Sequence, residues 1–346
     1  MAQKDPYDLK FDELPNPMRV WKGPPGSHEE ALGKVSILTP DVVAKAASQE
    51  IRTGRRVTVN WSLEQLEYAP FGRIPVKHSI IPILDGDAFD DIYTFNPQQS
   101  SQWDGLRHFS QPKFVEDGQR SVERVFYGGT TKTQIYNRTN SRLGIQAWAS
   151  EGIAGRGVLI DYAWWAEKQG IEYSTFSQHH VKLSDITQIA KECDIIFQRG
   201  DILIVRIGMT KEWNSWSDQA KQEYASQSNP LHAGVENSMD VLRWIWDTGF
   251  SAVAGDAISW EVRIPIPVDR RSFQSDVPQV FPSINPPLFL HEYLLAGWGM
   301  PIGEMFDLEA LSQTCQELDR WTFFVTSAPL NMPGGVSSPP NALMIF

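Results

Sequence analysis

Two patterns of apolar positions alternate along the 346 residues of the chain: the spaced repeat of amphipathic helices and the short continuous runs of buried strands. Thr39-Pro40-Asp41 supplies an N-cap followed by proline at the first helical position, and Val43, Ala46, Ala47 and Ile51 give the apolar face of a helix that Gly54 stops. Val57 to Trp61 reads as a strand. Residues 64–91 read as a long irregular connection broken by Pro70, Pro75 and Pro82, and connections of that length usually serve a function. From residue 143 the two patterns take turns. A short helix is expected over Leu143 to Glu151, and Gly155 to Asp161 is a loop entering a buried strand. Ser184 then caps a helix through Glu192, Asp201 to Gly208 is a strand, Val235 to Asp247 a helix ended near Gly249, and Ser251 to Asp256 a strand. After a proline-rich linker over 265–287 come helices over Leu288 to Leu295 and Leu308 to Trp321, a strand over Thr322 to Thr326, and a Gly/Pro/Ser loop from Pro329 to Pro340. This alternation predicts an α/β fold with a mixed, partly parallel sheet and flanking helices. Residues 1–35, punctuated by Pro15, Pro17, Pro24 and Pro25, are expected to form an N-terminal arm on a single domain over 36–346.

Composition narrows the function more than the fold. A net charge of −11 and a pI near 5.2 disfavour a phosphate-backbone partner, and Arg52, Arg55 and Arg56 form the nearest thing to a basic patch, read as a solvated turn. The two cysteines, Cys193 and Cys315, have no CxxC spacing, which excludes a disulfide framework or a cysteine zinc site. Residues 1–17 contain no apolar signal core and no later window approaches a membrane span, so a reduced cytoplasmic location, without nucleic-acid or membrane partners, is expected.

Several catalytic machineries are missing. Gly249-Phe250-Ser251-Ala252-Val253 is no nucleophile elbow, His291-Glu292-Tyr293-Leu294-Leu295 is no HExxH, and Gly155-Arg156-Gly157 lacks the context of a phosphate loop. Carboxylate and imidazole chemistry remains. Asp104 and His108 are four residues apart and share a face whether their segment is helical or extended. That segment, Asn96 to Phe109, is too polar for a core strand and also carries Gln98, Gln102, Trp103 and Arg107. His291 and Glu304 are further candidates. His28, His78 and His232 sit in polar contexts that suggest solvated loops, and His179-His180 precedes a helix.

Gln98 to His108 resembles the HxGTHxDxxxH signature of the cyclase family that includes bacterial-type kynurenine formamidase and isatin hydrolase, with Asp104 and His108 matching and Gln98 and Gln102 standing where the family has histidines. Gly155 to Asp161 is similar to the family's RGVLLD strand, Gly200 to Gly208 to its GDVVLIRTG strand, and Asp256 to Ser259 to its DxxS turn. The likeness spans roughly residues 35–340 and is strongest to the fungal-type branch. It implies a swivelling β/β/α fold and a hydrolase that cleaves the amide or ester carbonyl of a small aromatic or cyclic substrate. By position it implies Asp104, His291 and Glu304 as metal ligands and His108 as the proton carrier. Two amides in place of two imidazoles shift the expected metal from zinc towards manganese or magnesium, or remove it. Gln98 and Gln102 are then candidate donors to a substrate carbonyl. Trp103, Phe109, Phe126, Tyr127 and Trp260 are candidates to line the pocket, and Arg107 to meet a substrate carboxylate. Two alternatives stay open: a metal-free cyclase, isomerase or lyase using His108 with Asp104 or Glu304, and a non-catalytic ligand-binding descendant. The resemblance also implies a homodimer or higher homo-oligomer.

Overall fold

The computed structural model describes residues 5–68, 72–114, 120–263 and 288–346; the linker expected over 265–287 lies outside them. Four apolar strands form the centre, and each is buried on both faces, as parallel strands covered by helices must be. Ile153–Asp161, Ile202–Arg206, Ala252–Gly255 and Ile302–Glu304 run parallel in that order. Antiparallel strands widen the sheet on both sides. Thr322–Ser327, Ala342–Ile345 and Arg56–Thr58 follow one another beyond Ile153–Asp161, while Gln102–Asp104 and then Ser337–Ser338 lie beyond Ile302–Glu304. The result is the mixed, partly parallel α/β sheet that the alternation predicts.

Successive side chains on a strand point to opposite faces, so the sheet divides the interior into two cores. Leu203, Val205 and Val253 pack with Ile186 and Ile189 of helix Leu183–Glu192 and with Val241, Leu242 and Ile245 of helix Met239–Thr248. Ile202, Ile204 and Ala254 pack on the other side with Leu311 and Cys315 of helix Glu309–Leu318. Each such branched side chain contributes roughly 1.5–3 kcal/mol by leaving water. Gly249, at φ 80°, ends helix Met239–Thr248 in a left-handed turn that a side chain would strain.

Three local readings need correction. The stretch read as irregular connection contains a hairpin, Lys77–Ile83 paired with Ala88–Thr94. The prolines concealed it, but Ile80, Ile81 and Ile83 are β-formers, and Asp85 and Gly86 take the positive φ its turn requires. Asn96 to Phe109, judged too polar for the core, places the fully buried strand Gln102–Asp104 in the main sheet. The helix expected over Leu288 to Leu295 is a π-helical turn over Glu292–Gly297. Boundaries also moved: the helix expected to be capped by Ser184 starts at Leu183, with Lys182 at its N-cap, and Val235 belongs to a short strand ahead of a helix that Ser238 caps.

Residues of the first 35 enter the cores. Tyr7 and Phe11 are buried beside Trp246 and Trp298, and the rings of Tyr7, Trp246 and Trp298 surround the buried Lys34, whose Nζ lies 4.0 Å from the Trp246 ring centre and 5.3 Å from that of Tyr7. The rings favour the ammonium. Burial opposes them and pushes its pKa from 10.5 down to about 7. Between those two values the unfolded chain holds the proton and the folded chain releases it, so this group makes stability rise with pH across that window; below it both states are charged and the contribution is flat. Melting temperatures of the wild type and Lys34→Met, compared from pH 6 to pH 10, should shift in favour of the wild type above pH 7; a constant difference would contradict this. No helix of the described residues is long and apolar enough to cross a membrane.

Candidate active site

The pleat of two short strands builds the site. Gln102–Asp104 pairs antiparallel with Ile302–Glu304, setting Gln102 opposite Glu304 and Asp104 opposite Ile302. With a side-chain period of two, Gln102, Asp104 and Glu304 share one face while Trp103 points through the sheet to Phe306 and donates from Nε1 to Ser327. Trp103 faces Gly303, where a Cβ would sit 2.6 Å from that of Ala254 and 3.0 Å from the Trp103 ring, so only glycine fits. The chain turns after Asp104 and brings His108 back, its Nε2 3.4 Å from Asp104 Oδ2.

His291 arrives from the turn of helix just before the π-helical stretch. Glu261 anchors it, accepting from His291 Nδ1 at 2.7 Å and from the backbone amides of Leu290 and His291. This leaves Nε2 facing Glu304 Oε1 at 3.2 Å and Asp104 Oδ2 at 3.8 Å. A carboxylate behind an imidazole is the usual way to fix the orientation of a ligating histidine. One donor atom each from Asp104, His291 and Glu304 lie within 4.8 Å of one another. The two glutamines complete the cluster. Gln98 Nε2 is 2.8 Å from Asp104 Oδ1 and 3.0 Å from His108 Nδ1, and Gln102 Nε2 is 2.5 Å from Glu304 Oε2.

Burial works against every charge here, and the neighbours decide the outcome. Burial would raise Asp104, but His108 and His291 hold it below the usual carboxylate range. Burial together with the adjacent Asp104 raises Glu304 to about 7. His291 is held well above an ordinary imidazole because Glu261, Asp104 and Glu304 overcome its burial, whereas burial lowers His108 against the pull of Asp104. Asp104 Oδ2 and Gln102 Oε1 are buried acceptors without a hydrogen-bond donor among the described residues.

The structure therefore brings together Gln98, Gln102, Asp104, His108, His291 and Glu304. Phe109 joins them, its ring 5.2 Å from that of His291. Other pocket candidates lie elsewhere. Trp103, Tyr127 and Trp260 are core residues, with Tyr127 bonded to Tyr7 and Trp260 to Ala254. Arg107 is buried and donates to the carbonyls of Gln134, Ile135 and Asn140, which makes it a brace for that loop. His232, read as a surface residue, is fully buried with Nε2 2.5 Å from Ser259 Oγ, and burial lowers its pKa to about 3. His179 stacks on Tyr173, 4.3 Å between ring centres, away from the cluster. Sequence reasoning passed over Glu261 and Arg73. An acid between Trp260 and Val262 was the signal for the first. Arg73 lies in the connection flagged as functional and donates from Nη1 to the carbonyl of Gln98.

Comparison with known proteins agrees with this architecture. A crystal structure described as a novel cyclase superposes with a TM-score of 0.71 at 22% identity, covering 92% of this chain and 97% of the other. Isatin hydrolase A from Labrenzia aggregata gives 0.53 at 14% identity over 88% and 98%, and isatin hydrolase A from Ralstonia solanacearum 0.51 at 12% over 88% and 95%. At these identities the likeness is one of fold. No curated protein sequence matches. The sequence model of the Cyclase family matches residues 57–262, more than half of the chain, a stretch that contains Gln98, Gln102, Asp104, His108 and Glu261; the chain belongs to the cyclase family.

Proposed function

We propose that the protein is a hydrolase acting on the amide or ester carbonyl of a small aromatic or cyclic substrate. The convergence of Asp104, His291 and Glu304 donor atoms within 4.8 Å, with His108 alongside, carries this reading. The donor set suits a divalent metal such as manganese or zinc. Asp104 Oδ2 and Gln102 Oε1 are buried acceptors that a cation would satisfy, and His291 is already oriented by Glu261. Asp104, His291 and Glu304 would hold the ion, which when bound supplies Lewis acidity and lowers the pKa of water. The chain's own residues then do the following. His108 takes a proton from the attacking water and returns it to the leaving nitrogen or oxygen, as its position beside Asp104 allows. Gln98 holds the imidazole through Nδ1. Phe109 offers an apolar wall to a ring.

One observation favours a second reading. Gln98 and Gln102 each present an amide N–H to a cluster carboxylate, so Asp104 and Glu304 are partly satisfied by the chain itself. Metal-free acid/base chemistry, isomerisation or elimination by His108 with Glu304, follows from that arrangement. Metal analysis by mass spectrometry separates the two. Protein purified without chelator should carry near-stoichiometric divalent metal that is lost in Asp104→Ala, and Gln98→His with Gln102→His should tighten binding by about tenfold or more. Failure to bind any divalent metal on reconstitution would leave the second reading.

A further inference from the structure

We propose that the hairpin of Lys77–Ile83 and Ala88–Thr94 is the surface through which two copies of this chain associate, the face that carries Ile80, Pro82 and Phe89 packing on the same face of the second copy. The proposal stands apart from the hydrolase reading, because it depends on no reacting group.

Exposure is the main argument. Every residue of the two strands is exposed except the half-buried Ala88, and neither strand pairs with a third strand among the described residues. A two-stranded hairpin left to itself in water is marginal at best and needs a face packed on something else. Seven large apolar side chains nevertheless stand exposed between Ile80 and Tyr93. Together they present roughly 800 Å², more than the largest patch on a typical monomer and about one partner's share of a standard protein interface.

The pleat selects the face. His78, Ile80 and Pro82 share one side with their cross-strand partners Tyr93, Asp91 and Phe89. Ile80 and Phe89 are 63% and 62% exposed there, against 38% and 39% for Ile81 and Ile83 on the opposite side. The acid of the more open side is already engaged. Asp91 accepts from Tyr93 Oη at 2.6 Å and lies 3.1 Å from His78 Nε2, and the His78 ring stacks on Tyr93 with 4.7 Å between centres. Two copies of this face can therefore meet without setting bare carboxylates together. Pairing by the strand edges is blocked instead: Pro82 has no N–H to offer along one edge, and along the other Asp90 and Asp91 would meet the same acids of a two-fold related strand.

Charge and symmetry name the partner. Asp85, Asp87 and Asp90 lie at or beside the turn and repel an anionic lipid surface. A face whose acid is satisfied from within, on a hairpin that presents half of a standard interface, is complementary to itself under two-fold symmetry, where one patch serves both copies.

The test is sedimentation velocity of the full chain from nanomolar to tens of micromolar concentration. A species of twice the 39.1 kDa chain mass is expected, with micromolar or tighter affinity. Ile80→Lys with Phe89→Lys should weaken it at least about a hundredfold, whereas the matched pair Ile81→Lys with Ile83→Lys on the opposite side should change it by less than about threefold. Melting temperatures check that each variant is folded. Hydrogen exchange of the wild type carries the test if a variant is not: the amides of residues 77–94 should exchange at least about tenfold more slowly in the dimer than in the diluted monomer. A wild type that stays monomeric, a dimer that survives Ile80→Lys with Phe89→Lys, or an equal loss from the matched pair would overturn the proposal. So would equal protection of these amides in monomer and dimer, which would mean that the chain covers its own hairpin.

Discussion

Replacing His108 by alanine is expected to lower turnover by about two to four orders of magnitude, the usual worth of a positioned proton carrier. The effect should fall on kcat, because the imidazole holds no part of the fold: its side chain is 24% exposed, and its contacts are to Asp104, Gln98 and neighbouring rings. Stability should change little, as for other partly exposed positions. Turnover on aryl formamides, lactams and lactones, with denaturant midpoints measured in parallel, checks both halves. An active variant would refute the role given to His108, and an unfolded one would show that the residue is structural.

The largest loss of stability is expected at Asp256, which ends the strand Ala252–Gly255. Its carboxylate accepts from the amides of Ile207 and Gly208, each at 2.7 Å, and from that of Met209 at 2.9 Å, fixing the turn where the neighbouring strand gives way to helix Met209–Ser215. Alanine would leave three buried N–H groups without their acceptor. Each such group costs about 1–3 kcal/mol, so a total of roughly 3–5 kcal/mol is expected after local relaxation. Asn at the same position keeps one acceptor oxygen and should cost less. Urea unfolding of the two variants measures the difference; a loss below about 1 kcal/mol for Asp256→Ala would mean that the turn finds other acceptors.

The central fold was legible because parallel strands buried on both faces leave an unmistakable mark. Ile202 to Val205 and Ala252 to Ala254 are uninterrupted apolar runs, and helix Met239–Thr248 has its apolar side on the expected repeat. The site was legible in part. Asp104 and His108 meet as their spacing requires, but the strand that carries Asp104 was not recognised. Its burial comes from pairing with Ile302–Glu304, a partner some 200 residues away, and not from its own composition. The same limit applies to Trp103, Tyr127 and Trp260. An aromatic residue next to a site residue in sequence points into the site or through the sheet according to the pleat alone. His232 was misread for the opposite reason, since polar neighbours in sequence do not report what packs over them in space. Glu261 and Arg73 act through contacts with His291 and Gln98 that no local pattern encodes.

The π-helical turn at Glu292–Gly297 makes the site sensitive to chain length unequally in the two directions. A π turn is an α-helical path carrying one extra residue, so the segments on either side keep the phase they would have without it. Deleting one of its six residues would let the segment wind as an ordinary helix and keep His291, before the turn, in phase with Glu304, after it. An insertion, or a second deletion, has no such slack and would turn one against the other by about 100° for each residue. The segment therefore holds one residue in reserve between two site residues, and its tolerance to a single deletion should exceed its tolerance to a single insertion.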